Sequence, residues 1–462
     1  MFRFLAAAVL FAFLQACAPR ATLKEPEVHL PEQYPAQPAA PNDTANAGDV
    51  SWHGFFEDPH LLHLIDEALE NNKEINVMMA RIQTYKNEIG ARKGELLPFV
   101  ELGQAYEREH TKKYEEGEFV EEFLDTYKFG AYASWEVDVW KKLRKATRAA
   151  VYEYFASVEG VNFLKTELVA EVAASYFELK ALDSQLAILE RNIALQEEGL
   201  EIVKRLKRFA RTNQLAIKRY EGEVAKNKAK IYEVRQQIVE VENRINFLLG
   251  RLPQPVERSH EDLLDTHIAL VKAGLPIQLL RTRPDIRQAE LELKAAKLNV
   301  DVARARFYPA LELQARRVYA ASEPRYLFTP ESLTSTLAGE LTAPLLNRSL
   351  LLADYKNASA RQIQAAYEYE QKVINAFIEV TNELIHLRNL EREFQLKRAQ
   401  VEALSQSIEL SRQLFQSARV EYLEVLLAQR EALEAKMELV EIRQQQLEAV
   451  VALYRALGGG WK

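Results

Sequence analysis

Tyr127-Lys128-Phe129-Gly130-Ala131-Tyr132-Ala133-Ser134-Trp135-Glu136-Val137-Asp138-Val139-Trp140 alternates along its whole length. Its odd-numbered members are apolar or aromatic, and its even-numbered ones are polar or glycine up to Asp138, with Tyr132 the one interruption. Successive side chains of a strand point to opposite faces, so this stretch reads as a strand with one greasy and one wet face. Phe99 to Glu109 does the same, setting Val100, Leu102 and Tyr106 against Glu101, Gly103, Ala105 and Glu107. In the second half of the chain Leu311, Leu313 and Ala315 oppose Glu312, Gln314 and Arg316, and Leu337, Gly339, Leu341 and Ala343 oppose Thr336, Glu340 and Thr342. The strands are expected at about 98–109, 127–140, 309–320 and 335–345, each pair joined by a charged loop, His110 to Thr126 and Ser322 to Ser335.

Each run has about the length that a tilted strand needs to cross an outer membrane. A soluble sandwich would explain any one of them; four together, flanked by very long helices, point to lipid. Four strands cannot close a barrel, since the smallest membrane barrels have about eight, and an open edge in lipid costs several kcal/mol per unpaired backbone group. If the strands span a membrane, several chains must share one barrel. Tyr106, Phe129, Trp135 and Trp140 suit the interfacial belts.

The helices are expected to be rods. No proline occurs from Phe99 to Leu252 or from Leu345 to Lys462. The run from Trp140 to Arg208 would span roughly 100 Å at 1.5 Å per residue. Within it Val172, Ser175, Leu179, Leu182, Leu186, Leu189, Ile193, Gln196, Leu200 and Val203 step by three and four. Ile231 to Leu248 and Leu433 to Tyr454 repeat the spacing, the mark of coiled-coil packing of antiparallel pairs. The chain therefore states the same unit twice, 51–270 and 271–462, each with two strands followed by long helices.

Composition narrows the function class. A formal charge of −7 gives no basic face for nucleic acid. The 27% of charged residues excludes a polytopic helical membrane protein. Among eight histidines there is no His-Glu-x-x-His pair, no Gly-rich phosphate loop is present, and the single cysteine has no partner for a disulfide or metal cluster. No catalytic residue, metal site or cofactor is assigned, and energy for any transport must come from a partner.

The N-terminus carries a basic start, an apolar run from Leu5 to Leu14 too short to span a bilayer, and then Leu14-Gln15-Ala16-Cys17. This is similar to a signal peptide over 1–16 ending in a lipobox, with Gln15 a departure from the small residue usual there. Lipid is expected on Cys17, where several acyl chains anchor firmly. Ala18 follows, where lipoproteins kept at the inner membrane resemble one another in carrying Asp, so the anchor points to the outer membrane. Pro19, Pro26, Pro31, Pro35, Pro38 and Pro41 make residues 17–50 a tether that runs extended over another surface or stays mobile.

Four stretches carry a family resemblance. Ser134-Trp135-Glu136-Val137-Asp138-Val139-Trp140 resembles the end of a second strand, and Gly274-Leu275-Pro276 with Leu279-Leu280-Arg281-Thr282-Arg283-Pro284-Asp285-Ile286 resembles an inter-repeat hallmark. Tyr422 to Arg430 resembles the start of a last long helix, and Leu453-Tyr454-Arg455-Ala456-Leu457-Gly458-Gly459-Gly460-Trp461 a terminal signature. The chain is thus similar to the TolC-like outer membrane factors, in particular the NodT/OprM-like lipoprotein branch serving RND-type efflux systems. The resemblance implies a homotrimer with a twelve-stranded barrel continued by a periplasmic helical tunnel, working with a periplasmic adaptor and an inner-membrane pump as a passive exit channel. A type I protein-secretion duct and a non-conducting coiled-coil envelope protein are the alternatives. It further implies a periplasmic tip at the turns near Ala210 to Ala216 and Gln416 to Leu423, with Arg419, Glu421 and Glu424 as gate candidates. Arg281, Arg283, Pro284 and Asp285 have a structural reading, as a proline-started helix with ion pairs that fix the crossover. The sequence departs from the family in the Ser417-Ala418 region, at Leu427, and at Lys141, where a glycine is common.

Overall fold

The computed structural model describes residues 23–35, 45–115, 117–209, 212–259, 261–267, 271–344, 348–417 and 419–462. Cys17 and the rest of 1–22 lie outside the described residues, as do Arg211 and Ala418.

The long helices come in matched pairs. In chain order α1 is Pro59–Asn71, α2 Lys73–Gly94, α3 Lys142–Arg208, α4 Gln214–Leu248, α5 Pro284–Ala305, α6 Ser349–Gln416 and α7 Tyr422–Ala456. Single turns such as Trp52–Phe55 and Leu279–Thr282 carry no label. Between α2 and α3 lie β1, Phe99–Glu115, and β2, Glu118–Val137; between α5 and α6 lie β3, Ala310–Ala321, and β4, Leu333–Thr342. Helices α2 and α5 have 22 residues each, α3 and α6 have 67 and 68, and α4 and α7 have 35 each. The duplication extends to helix length.

The chain divides into two compact units. The first holds the four strands with 80–158 and 288–370, and residues up to Glu27. Its sheet runs β1-β2-β3-β4, antiparallel throughout, with β1 and β4 at the edges. Lys24 lies extended against α6: its N–H donates to Gln362 Oε1 at 3.0 Å, its carbonyl accepts from Gln362 Nε2 at 2.7 Å, and its ammonium meets Glu370 at 3.2 Å.

The second unit comprises 28–79, 159–287 and 371–462. Its stripes are buried as the three-and-four spacing requires: Val172, Leu179, Leu189 and Val203 of α3, Val234, Val241 and Ile245 of α4, and Val440, Leu447 and Val451 of α7. Asn72 fixes the junction of α1, α2 and α4. Its Oδ1 accepts from the N–H groups of Glu74 and Ile75 at 2.9 and 3.1 Å, capping α2, and its Nδ2 donates to the Leu248 carbonyl at the end of α4, 2.9 Å away. Tyr34 is buried and stacks on Phe377 of α6, ring centroids 5.5 Å apart.

One expectation fails in an informative way. The charged stretch His110 to Thr126 is not a loop; β1 and β2 stay paired through it to a turn containing Gly117, which has φ +97°. β3 pairs with β2 only as far as Tyr127, so beyond that point the hairpin continues as a two-stranded ribbon. Ion pairs between directly opposed residues hold it, Arg108 with Asp125 at 2.6 Å and Lys112 with Glu121 at 2.7 Å, and His110 stacks on Phe123 at 4.5 Å. The other boundaries shift less, β2 ending at Val137 before Trp140 and β4 opening at Leu333 and closing at Thr342.

Candidate functional site

The register sorts the strands into two faces. Val100 lies opposite Ala133 and Leu102 opposite Ala131; Trp135 opposes Leu313, Leu313 opposes Gly339, and Ala315 opposes Leu337. All of these share one face, and although apolar it is uncovered: Leu102 and Leu337 are 77% and 79% exposed. Aromatic residues border it at both ends. Trp135 donates from Nε1 to the Leu96 carbonyl at 3.0 Å, and Trp140 donates to the Pro309 carbonyl at 2.7 Å while stacking on Tyr308. At the other end Tyr106 meets Tyr127 at 5.0 Å, and Phe328 packs edge-on against both Phe129 and Tyr319. From Tyr127 to Val137, steps of about 3.3 Å along a strand tilted by about 40° give a band roughly 25 Å tall, the height of the apolar belt of membrane barrels. Arg317, opposite Ala131 and Ser335 near mid-band, departs from the pattern.

The opposite face is polar. Glu136 opposes Glu312, which opposes Glu340, so three carboxylates stand in one cross-strand row. Lys142 pairs with Glu136 at 2.5 Å, and Gln314 donates to Glu312 at 3.3 Å. Tyr132, the exception in the alternation, lies on this face opposite Glu101 and Arg316.

The turn from β2 into α3 is set by Asp138. Its Oδ1 accepts from the Leu143 N–H at 3.0 Å and its Oδ2 from the Arg144 N–H at 3.1 Å, and the Arg144 guanidinium bonds the same Oδ2 at 2.9 Å. Burial raises this carboxyl's pKa, but Arg144 and the two amides outweigh it and hold it below the ordinary aspartate range. Lys141 closes the turn with φ +61°, a left-handed backbone on a residue with a side chain.

The inter-repeat stretch is a buried junction with the C-terminus. Arg283 bonds Asp285 twice, Glu379 of α6 at 2.6 Å, and the Ala456 carbonyl at the end of α7 at 3.0 Å. Burial opposes its charge, yet the bonds to Asp285 and Glu379 raise its pKa further. Pro284 opens α5 with Asp285 in the first turn, and Arg281 reaches Asp49 at 3.0 Å. Gly458 has φ +86°, and a Cβ there would lie 2.5 Å from the Thr282 carbonyl oxygen; Trp461 donates to that oxygen at 3.2 Å. The terminal glycines thus let two backbones meet.

At the opposite end of the long helices, Val203, Ile217, Tyr220 and Leu426 form a buried cluster with Tyr422 packed on it. Tyr220 and Tyr422 lie 5.5 Å apart, and Phe415 meets Tyr422 edge-on at 4.6 Å. Burial raises the pKa of both phenols. Gly199 makes room for them, since a Cβ there would stand 3.0 Å from Tyr220 Cε1 and 3.2 Å from the Tyr422 hydroxyl. Arg419, Glu421 and Glu424 are exposed; Glu421 is the N-cap residue of α7 and Glu424 lies in its first turn. Among the described residues none of the three forms a side-chain hydrogen bond or ion pair, although the Glu424 N–H donates to the Glu421 carbonyl at 3.0 Å, so these two share the first turn of α7. Sequence reasoning missed Gly199, Tyr220 and the capping role of Asp138.

Residues 64–251 and 275–459 match the outer membrane efflux protein family. This chain belongs to that family. Outer membrane efflux proteins similar to it include the cation efflux system protein CusC of Escherichia coli O6:H1, 27% identical over 453 residues, 97% of each chain. The probable outer membrane lipoprotein SilC of Salmonella typhimurium is 27% identical over 441 residues, 95% of this chain and 94% of its own. Among solved structures, the open state of the Neisseria gonorrhoeae MtrE outer membrane channel superposes with a TM-score of 0.83 at 26% identity, covering 96% of this chain and 99% of that one. The fold is TolC-like, and the family is one of channels and transport proteins of the outer membrane.

Proposed function

We propose that the protein is the passive exit duct of a tripartite efflux system. Three copies close a twelve-stranded barrel in the outer membrane of a Gram-negative cell. A periplasmic adaptor and an RND-type inner-membrane pump deliver drugs, toxic compounds or metal ions to it. The observation that carries this reading is the sheet: an uncovered apolar face, a polar face, and edge strands β1 and β4 each paired on one side only. In lipid such edges must be paired, and four strands cannot pair them within one chain. Apolar side chains left bare along the helices, Tyr232 and Phe247 on α4 and Ile374 and Leu396 on α6, ask for neighbouring copies as well.

In this reading residues 1–16 are removed, Cys17 carries lipid, and 17–50 tether the chain; that a relative is described as a lipoprotein supports it. Arg419, Glu421 and Glu424 belong to the periplasmic tip, where threefold repetition would set like charges around an axis. Arg281, Arg283, Pro284 and Asp285 hold the second repeat to the C-terminus.

Cysteine scanning of β1 against β4 in a Cys17→Ser background tests the shared barrel, because the chain has no other thiol. Disulfide-linked dimers and trimers are expected in one register. Cross-links in none would contradict it.

A further inference from the structure

Beyond Tyr127 the first hairpin leaves the sheet, yet its register does not change, and every residue from Phe99 to Glu115 has its partner in β2 without a bulge. The two faces of the sheet therefore run on into the ribbon. On the face continuous with Val100 and Leu102, three rungs pair rings: Tyr106 with Tyr127, His110 with Phe123, and Tyr114 with Phe119. The two rungs between them are ion pairs. Arg108 bonds Asp125 at 2.6 and 2.9 Å, and Lys112 bonds Glu121 at 2.7 Å, so the charges cancel and the rings define this face. The opposite face of the ribbon carries Glu107, Glu109, Glu118 and Glu122 with Val120 and Leu124, and no ring.

Nothing in the chain covers the rings, Tyr114, Phe119 and Phe123 being 65%, 72% and 60% exposed. A patch of this kind marks a contact with something outside the chain. What lies there follows from height. This inference rests on the reading that lipid covers the apolar face of the sheet, since a lipid seated on Val100 and Leu102 then has its head at these rungs. From Tyr106 to Tyr114 is eight residues, about 20 Å of height at 3.3 Å per residue and a tilt of about 40°. A phospholipid head fills only about 5–8 Å of it, half the difference between the hydrocarbon core and the whole bilayer. The rung of His110 and Phe123 already stands about 10 Å up, and that of Tyr114 and Phe119 twice as high. Only a head several sugars long reaches both. The C–H face of a sugar ring packs on an aromatic ring, and its hydroxyls match the charged rungs between. In a shared barrel this face also points away from the axis, so other copies leave it free.

We propose that the outward face of the ribbon binds the oligosaccharide head of an outer-leaflet glycolipid, with sugar rings stacked on Phe123, Tyr114 and Phe119 and hydroxyls bonded to the ion-paired rungs. The acidic face of the same ribbon is left to border the mouth of the channel.

The test is amide hydrogen exchange over residues 108–125 of the full-length protein in nanodiscs of four compositions. These are phosphatidylcholine alone, or phosphatidylcholine with phosphatidylglycerol, with lipopolysaccharide that retains its core sugars, or with lipopolysaccharide truncated before them. Core sugars should slow exchange in the ribbon about tenfold relative to phosphatidylcholine, and the other two additions should not. The triple change Tyr114→Ser, Phe119→Ser, Phe123→Ser should remove the slowing. Val120→Ser with Leu124→Ser, on the opposite face, should keep it. Each variant is compared with itself in phosphatidylcholine, so a looser ribbon does not imitate a lost contact. No slowing by core sugars, equal slowing by phosphatidylglycerol or the truncated glycolipid, or slowing that survives the triple change would overturn the proposal. Cross-linking of β1 to β4 on the same samples reports the shared barrel separately, so its failure is distinguishable from loss of the sugar contact.

Discussion

Arg283 and Asp285 face each other through two parallel hydrogen bonds, Nε to Oδ1 at 3.0 Å and Nη2 to Oδ2 at 2.8 Å, with side chains 7% and 6% exposed. Because the same guanidinium also bonds Glu379 and the Ala456 carbonyl, one side chain ties the start of α5 to α6 and to the end of α7. Removing one partner of a buried pair leaves a charge uncompensated, at a cost of about 3–5 kcal/mol. Arg283→Met should therefore lower the chemical denaturation midpoint sharply. Arg283→Lys should recover only part of the loss, since an ammonium cannot span the carboxylate fork and the carbonyl together.

Lys141 holds φ +61° between β2 and α3. A left-handed backbone costs a residue with a Cβ about 1–2 kcal/mol, and glycine nothing sterically. Lys141→Gly should stabilise the protein by about 1 kcal/mol, read as a raised melting temperature. No gain would mean that the lysine side chain compensates for its backbone.

Asp138 gives α3 a pH-dependent start. Its pKa is held below the ordinary aspartate value of 3.8, so the stability it contributes is complete above that value and is lost as pH falls through the lower, folded one. Between pH 7 and 5 the cap should be intact, and unfolding should become easier only below about pH 4. Asp138→Ala should cost about 1 kcal/mol at neutral pH and remove this acid-sensitive component, as measured by denaturation at several pH values.

Arg317 is the one arginine on the apolar face of β3, opposite Ala131 and Ser335. If lipid covers that face, a guanidinium near the midplane costs about 2–4 kcal/mol. Arg317→Leu should then stabilise the folded protein in bilayers by about 2 kcal/mol. In a water-covered face the same change would be neutral or unfavourable.

Much of this architecture was legible in the chain, for reasons that explain the gaps. The strands showed because apolar and polar residues alternate wherever one face is greasy, as from Phe129 to Val137. That signal vanishes over His110 to Thr126, where the ribbon is charged on both faces and its pairing rests on cross-strand partners such as Arg108 with Asp125. Periodicity cannot register a partner. The long helices were visible as stripes, but the stripe that holds Leu189 and Val203 also holds Gln196, whose Oε1 accepts from Asn227 Nδ2 at 2.9 Å while its Nε2 is left without a partner, and spacing registers neither. Lys141 stood out as a residue where a glycine is common, yet only the backbone shows the left-handed turn. For Arg419, Glu421 and Glu424 the residues were readable and their relations were not, because one chain leaves all three in solvent.

The central claim is that the sheet's polar face, with the row Glu136, Glu312 and Glu340, lines an aqueous path once chains share a barrel. Single-channel recording of the purified full-length protein in planar bilayers tests it most directly, with the oligomeric state fixed beforehand by native mass spectrometry. A trimer giving discrete, cation-preferring current steps, larger in Glu424→Gln than in wild type, is the outcome expected. A trimer that inserts and passes no current, with Glu424 intact or replaced, would contradict the account.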